Sequence, residues 1–493
     1  MRTWVIGIAA MLVIGLSVVM LERGRAGLEL TDVMIGTTPA TLYRLPDSVG
    51  PLVIIAHGFA GSRQLMQTYA LSLAQSGFAV LAYDLEGHGR NPVPMSGDVT
   101  SIDGTTALLV AELRRVIAVA RTLPNGDRGI ALLGHSMATD IIVRASIAED
   151  QAGTPVSAVV AISMFSQAVT ALAPARLLVI SGEWEAMLRR TALDALRLLK
   201  PDAQEGDTVT AGTVTRRAIV APSVEHVGVL FSASAVTAAR DWLDGAFATA
   251  STRPLILPGV WILTLLAGIV ILFRPLVALL PQVSVGPAPI STRLFLAAIL
   301  IPAIAVPLVG PPLYSRFLPV LVADYLLIHL ALFGILQLVI LRVWQRILAK
   351  PPVISVLALV VWGIAAFGIA LDRYAASFLP TPERLLIIAA LAVGTVPFMV
   401  ADSVVTDAGH GVLWRRLMAR IAVLTSLGAA ALIDPDRLIF LFIILPVVLL
   451  FFLIHGLMGR WVARQSGALA AGIGLGLILA WALGVSFPLF SAG

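Results

Sequence analysis

The sequence predicts a chain in two parts, an α/β domain built on a mostly parallel eight-stranded sheet flanked by helices, followed by an all-α bundle of transmembrane helices. Three observations predict it. The 493 residues are 58% hydrophobic and only 13% charged, well below the charged fraction of about 25% usual in soluble domains. From Leu28 to about Ala250, short apolar runs alternate with longer amphipathic ones, the pattern of strands and crossover helices. After Arg253-Pro254 the apolar runs lengthen towards the ~20 residues that cross a bilayer. Charge divides at the same point: residues 1–254 carry 20 Lys and Arg against 22 Asp and Glu, and residues 255–493 carry 14 against 7.

In chain order, Trp4 to Leu21 is an apolar run behind Arg2, longer than the core of a secretion signal and with no small-x-small cleavage site after it. Residues 1–25 therefore read as an uncleaved signal anchor. Residues 26–253 hold eight expected strands, at 28–35, 40–45, 51–56, 79–84, 129–133, 156–162, 176–180 and 216–220. Helical stretches lie near 63–76, 102–123, 137–148, 184–199 and 234–247. Residues 254–493 hold eight further apolar runs, at about 255–273, 294–313, 317–341, 353–371, 385–401, 421–433, 438–458 and 467–490. The sixth is short for a span.

Cations between the spans set the expected orientation. With the N-terminus cytoplasmic, the inner loops hold Arg274, Arg293, Arg342, Arg346, Lys350, Arg415, Arg416, Arg420, Arg460 and Arg464, and the outer loops hold Arg253, Arg316, Arg373, Arg384 and Arg437. This bias outweighs the contrary pair Arg23 and Arg25. It predicts a multi-pass protein of the inner or cytoplasmic membrane, with the α/β domain on its periplasmic or extracellular side. No basic face with interleaved aromatics appears, so nucleic acid is not an expected partner. The absence of cysteine excludes disulfides, thiolate metal sites and a cysteine nucleophile.

The chemistry centres on Gly134-His135-Ser136-Met137-Ala138, an apolar strand ending in a small-x-Ser-x-small turn before a helix. A serine held in a tight strand-to-helix turn crowds the residues two before and two after it, so only small side chains fit there. Ala138 adds one methyl to the Gly-x-Ser-x-Gly pattern. A serine nucleophile needs a base, the base needs a carboxylate, and the developing oxyanion needs fixed N–H donors. After the strand ending at Ile180 comes Gly182-Glu183-Trp184-Glu185, where Glu185 is the expected acid and Glu183 its rival. After the last strand comes Glu225-His226, and His226 is the only histidine between the acid and the membrane region. Upstream, Ala56-His57-Gly58-Phe59 is a strand running into a turn, where the Phe59 N–H pairs with that of Met137 as an expected oxyanion hole. His57 is then structural, and His135 packs around the elbow.

His57-Gly58-Phe59, Asp84-Leu85-Glu86-Gly87-His88-Gly89, the elbow and His226 together resemble the α/β-hydrolase superfamily, most closely its monoglyceride-lipase-like and serine-aminopeptidase-like (S33) branch. The resemblance covers residues 30–248. It implies the α/β-hydrolase fold and a serine hydrolase with Ser136, Glu185 and His226 as catalytic residues, in a superfamily that includes esterases, lipases, thioesterases and peptidases. The reading taken is cleavage of ester bonds of lipid or other acyl substrates through an acyl-enzyme, with no cofactor or metal. Only Ser163 to Ala175 separates the strand after the elbow from the strand before the acid, too few residues for the lid many relatives insert. The expected pocket is open or roofed by the membrane surface, making the bilayer itself a partner. The alternatives are a transporter or assembly scaffold with a hydrolase-like recognition domain, and an acyltransferase using the same residues.

Among ionisable residues in the membrane part, Asp324 and His329 lie within one span but about 140° apart around its axis. Helix–helix hydrogen bonding accounts for them more simply than a proton relay. Asp402, Asp407 and His410 read as solvated residues of an inner loop, too few for a metal site.

Overall fold

The computed structural model describes residues 2–98, 102–283, 290–343, 348 and 350–491. Arg346, one of the inner-loop cations, lies outside the described residues. The chain opens with helix α1 (Arg2–Arg25) and enters a sheet of nine strands: β1 (Glu29–Ile35), β2 (Thr38–Arg44), β3 (Leu52–Ala56), β4 (Ala79–Tyr83), β5 (Ile130–His135), β6 (Ala158–Ile162), β7 (Arg176–Gly182), β8 (Thr208–Ala211) and β9 (Val214–Ala221). Their order is β1-β2-β4-β3-β5-β6-β7-β9-β8. From β4 to β9 all neighbours are parallel. The two strands at one edge and β8 at the other run antiparallel to their neighbours.

The central strands are apolar along their whole length because both faces are covered. Leu52, Ile54 and Ala56 of β3 point into one core, beneath α3 (Ala107–Ala120), α4 (Met137–Gln151) and α5 (Ala186–Arg197). Val53 and Ile55 point into the other, beneath α2 (Gln67–Gln75) and α6 (Ala233–Phe247). The expected eight strands become nine because β8, four residues long and mostly exposed, pairs with β9 across a turn at Gly212-Thr213. So short an edge strand leaves no apolar run to read.

The candidate membrane part comprises α7 (Gly259–Val277), α8 (Thr292–Leu313), α9 (Ala323–Ile340), α10 (Val353–Val361) continuing through a π turn into α11 (Phe367–Tyr374), α12 (Pro382–Val405), α13 (Leu413–Ile433), the single turn α14 (Pro435–Leu438), α15 (Leu441–Ser466) and α16 (Ala468–Ser486). Counting α10 to α11 as one, nine helices among the described residues are long and apolar enough to cross a membrane. The short sixth run is completed by α13, which starts eight residues earlier and carries Arg415, Arg416 and Arg420 in its first turns.

Helices as apolar as these pack closely where small residues meet. A Cβ on Gly476 of α16 would stand 2.5 Å from the Cα of Val396 in α12, and one on Gly472 equally close to that of Val400. On the other side of α12, a Cβ on Gly394 would stand 2.4 Å from the Leu327 carbonyl oxygen of α9. Gly476→Ala is therefore expected to force α16 and α12 apart at a cost of about 1–3 kcal/mol, read as a lower melting midpoint in detergent. An unchanged midpoint would show the contact to be looser than this packing requires.

Two expectations about ionisable residues resolve differently. His329 hydrogen-bonds Tyr325 Oη at 3.0 Å and, across to α13, Ser426 Oγ at 3.1 Å, the helix–helix role expected. Asp324, at the start of α9, accepts the Phe317 N–H at 2.9 Å. Asp402, by contrast, is no solvated loop residue. It is buried in the last turns of α12 and ion-paired with Arg420 of α13, because α12 continues to Val405, past the end of its apolar run.

The α/β part rests on one end of the bundle. Contacts come from the end of α11, the start of α12 and the loop between them: Arg373 O accepts from Gln67, Ser377 N donates to Ser62, Arg90 pairs with Asp372 at 2.5 Å, and Arg384 donates to Gly87 O at 3.0 Å. The chain's last described residues return to the sheet-bearing part. Leu489 N donates to Gly87 O and Met95 N to Leu489 O, both at 2.8 Å, and Phe490 packs into the core beneath α3 and α4.

Candidate active site

Strands β3 to β7 and β9 all deliver their C-terminal ends to the same edge of the sheet, and every residue singled out from sequence for chemistry lies there. At the centre, β5 ends at His135, Ser136 turns the chain, and α4 begins at Met137. Ser136 sits at φ 53°, ψ −122°, a region L-residues avoid, and its N–H is held by Ile162 O at 2.9 Å. A side chain at Gly134 would meet Ala138 O and Ile142 Cδ1 at 3.0 Å, so position 134 needs glycine. Ala138 is fully buried and its methyl is accommodated.

His226 brings Nε2 to 2.8 Å from Ser136 Oγ and Nδ1 to 2.5 Å from Glu185 Oε1. Because the carboxylate can only accept, Nδ1 carries the proton and Nε2 is left to accept the serine hydroxyl. Glu185 Oε2 accepts the Gly182 N–H at 2.6 Å and Ser163 Oγ–H at 2.8 Å. Burial pulls the Glu185 carboxyl upward, but the hydrogen bonds from His226, Gly182 and Ser163 outweigh it and hold it below the ordinary glutamate value. It is therefore ionised at neutral pH, beside the imidazole. The rival Glu183 turns away, accepting the Ser223 N–H at 2.6 Å. Glu225 accepts the Val227 and Gly228 N–H groups and shapes the loop that carries the histidine.

His135 is buried, with its Nε2 bonded to the His226 carbonyl at 2.9 Å and its ring centroid 4.8 Å from that of His226. Burial pushes its pKa down to about 3, so it is a neutral brace for the His226 loop. His57 is also buried and neutral, lowered by desolvation; Nδ1 bonds Gly58 O at 2.8 Å and Nε2 accepts the Leu85 N–H at 3.2 Å. It ties the turn after β3 to the turn after β4. Asp84 completes that tie through the Arg63 N–H at 2.8 Å and the Arg63 guanidinium at 3.1 Å.

The pinned turn lies against the serine. A Cβ on Gly58 would stand 3.0 Å from Ser136 Cβ and from His135 Nδ1. Neither the Phe59 nor the Met137 N–H has a hydrogen-bond partner among the described residues. The Phe59 ring packs edge-on to His88 at 5.7 Å and against Phe440, from the turn between α14 and α15, also at 5.7 Å. Ser163 and Phe440 carry no sequence signal as site residues: one is a lone serine after a strand, the other an aromatic in an apolar run. Four large apolar side chains at the same sheet edge, Phe165, Trp184, Met187 and Val227, are exposed. Among the described residues no cluster of three or more His, Asp or Glu could hold a metal ion.

The doubly covered, mainly parallel sheet and its serine elbow give the sheet-bearing part the α/β-hydrolase fold. Residues 47–206 match the family described as serine aminopeptidase, S33. Solved structures similar to this chain include a dienelactone hydrolase of Anabaena variabilis, with 17% identity over 46% of this chain and 100% of its own and a TM-score of 0.35. An esterase of Pyrobaculum calidifontis has 15% identity over 50% and 94%, with a TM-score of 0.34. A bacterial heroin esterase has 13% identity over 45% and 85%, with a TM-score of 0.33. No curated protein matches the chain.

Proposed function

We propose that the protein is a membrane-integral serine hydrolase that cleaves ester bonds of lipid or other acyl substrates through an acyl-enzyme. The observation that carries this reading is the unbroken hydrogen-bonded chain from Ser136 through His226 to Glu185 at a strained elbow. In the first step Ser136 Oγ attacks the ester carbonyl carbon while His226 Nε2 takes the hydroxyl proton, and Glu185 holds the resulting imidazolium. The carbonyl oxygen becomes an oxyanion facing the Phe59 and Met137 N–H groups. Collapse expels the alcohol, which leaves with the proton from His226, and Ser136 keeps the acyl group. Water, deprotonated by His226, then releases the acid and restores the serine.

What surrounds the serine supports this substrate class. With no lid between β6 and β7, the roof over the oxyanion turn is Phe440 of the membrane part. Phe165, Trp184, Met187 and Val227 surround the acid and base with exposed apolar surface that a soluble pocket would bury. Both features suit an ester presented from the bilayer. The loop cations favour the periplasmic or extracellular side for this site.

Activity-based labelling with a fluorophosphonate tests the reading: the full-length protein is expected to label at Ser136, and an unlabelled serine in folded protein would remove it. The apolar rim makes a separate prediction. Trp184→Ser with Val227→Ser is expected to lower kcat/KM for long-chain esters by about tenfold, some 1.4 kcal/mol for two lost apolar contacts. Short-chain turnover should be unchanged, and an equal loss on both would place the rim outside substrate recognition.

A further inference from the structure

At the far end of the bundle from the α/β part, a cavity of about 310 Å³ opens between α13 and α15, closed behind by the last turns of α12. Arg384, at the start of α12, touches the α/β part, whereas Asp402, 18 residues on, lines this cavity. The two are therefore ~27 Å apart along the helix.

The cavity has two unlike ends. Its walls are apolar: Leu449 and Leu453 of α15 lie towards the bundle's middle and Leu417 of α13 lies beside Arg416, each about half exposed on a surface that faces lipid. Between them lies Gly456, at which an added Cβ meets nothing within 4 Å. At the other end stand Arg416 and Arg460, with Arg464 one turn further along α15.

Arg416 and Arg460 line the same mouth, and no carboxylate among the described residues is ion-paired with either of them or with Arg464. Arg460 and Arg464 both donate Nε–H to Gly409 O, at 3.1 and 2.9 Å. Buried Arg416 Nε has no partner among the described residues. Only Arg420, one turn deeper, is neutralised, by Asp402, and stacks on Phe452 at 4.2 Å. A converging, uncompensated cationic cluster at the mouth of an apolar groove is unfavourable unless an anion occupies it.

From this geometry we infer that the groove is a binding site for an anionic glycerophospholipid of the leaflet opposite the candidate active site. The phosphodiester bridges Arg416 and Arg460, and one acyl chain lies over Gly456 along Leu417, Leu449 and Leu453. Net negative charge is required because the ammonium of a zwitterionic headgroup would add a fourth positive group to the cluster. The leucine walls argue for a lipid over free phosphate, which would leave them empty. The inference is independent of the proposed hydrolase activity.

Native mass spectrometry of the full-length protein, delipidated and then supplied with equimolar phosphatidylglycerol and phosphatidylcholine, tests it. The expected result is several-fold greater retention of phosphatidylglycerol, abolished in Arg416→Gln/Arg460→Gln. Gly456→Phe fills the groove while leaving every charge in place, and it too should lose the bound lipid. This second variant decides the matter if the arginine variant folds poorly. Equal retention of the two lipids, retained preference in a folded arginine variant, or undiminished lipid in Gly456→Phe would each overturn the proposal. Displacement of phosphatidylglycerol by millimolar inorganic phosphate would overturn it in favour of a soluble-anion site.

Discussion

Replacing Ser136 with alanine is expected to lower kcat/KM for ester hydrolysis by about 10⁴-fold or more, with the protein still folded and still able to bind substrate. The side chain removed is small and sits at the surface of the elbow, its hydroxyl bonded, among the described residues, only to His226. Its loss leaves the oxyanion N–H groups and the apolar rim in place, so a residue of rate enhancement over water should persist. Because serine and histidine act as one unit, Ser136→Ala/His226→Ala should be no slower than Ser136→Ala alone. Steady-state kinetics on a chromogenic ester, with a melting curve for each variant, checks both statements. Multiplying losses in the double variant would mean that the two residues act separately. Unchanged hydrolysis in the single variant would return the α/β part to the role of a recognition module.

The second large effect is expected at Glu185. In Glu185→Gln the neutral amide offers an N–H in place of a second carboxylate oxygen and provides no counter-charge for the imidazolium. The ring then has reason to carry its proton on Nε2, where it cannot accept from Ser136. Loss of a well-oriented carboxylate in this role costs about 10⁴-fold in kcat, whereas a merely structural acid would affect stability more than rate.

The same substitution has a pH signature with a definite sign. The folded Glu185 carboxyl is held below its ordinary value of 4.5 by its three hydrogen-bond donors. It therefore contributes stability above pH 4.5 that is lost as pH falls through the lowered value. Thermal melts of wild type and Glu185→Gln should diverge above pH 4.5 and converge as the medium becomes more acid. Parallel curves across that range would contradict the bonded, ionised Glu185.

Much of this was legible from one dimension because the relevant constraints are local or ordered along the chain. Gly134 announces the elbow, since its Cβ would strike Ala138 O. Glu185 lies three residues after Gly182, and its Oε2 turns back to accept that residue's N–H. The spans were readable because twenty apolar residues in a row have few other uses. What stayed hidden depends on meetings between distant residues. β8 exists only because β9 is beside it. Asp402 reads as a loop residue until Arg420 of the next helix pairs with it. Ser163 bonds the acid across 22 positions and Phe440 reaches Phe59 across 381, neither with any periodicity to mark it.

The sequence alone determined the two-part architecture and the chain order of Ser136, Glu185 and His226 at the ends of successive strands, because strand periodicity, span length and the steric demands of a serine turn act over a few residues at a time. Tertiary structure alone decided which glutamate meets His226, how the missing lid is replaced by a turn of the membrane bundle, and where uncompensated arginines gather around an apolar groove. Those outcomes are set by packing and by electrostatics at a few ångströms, and such distances exist only after the chain has folded.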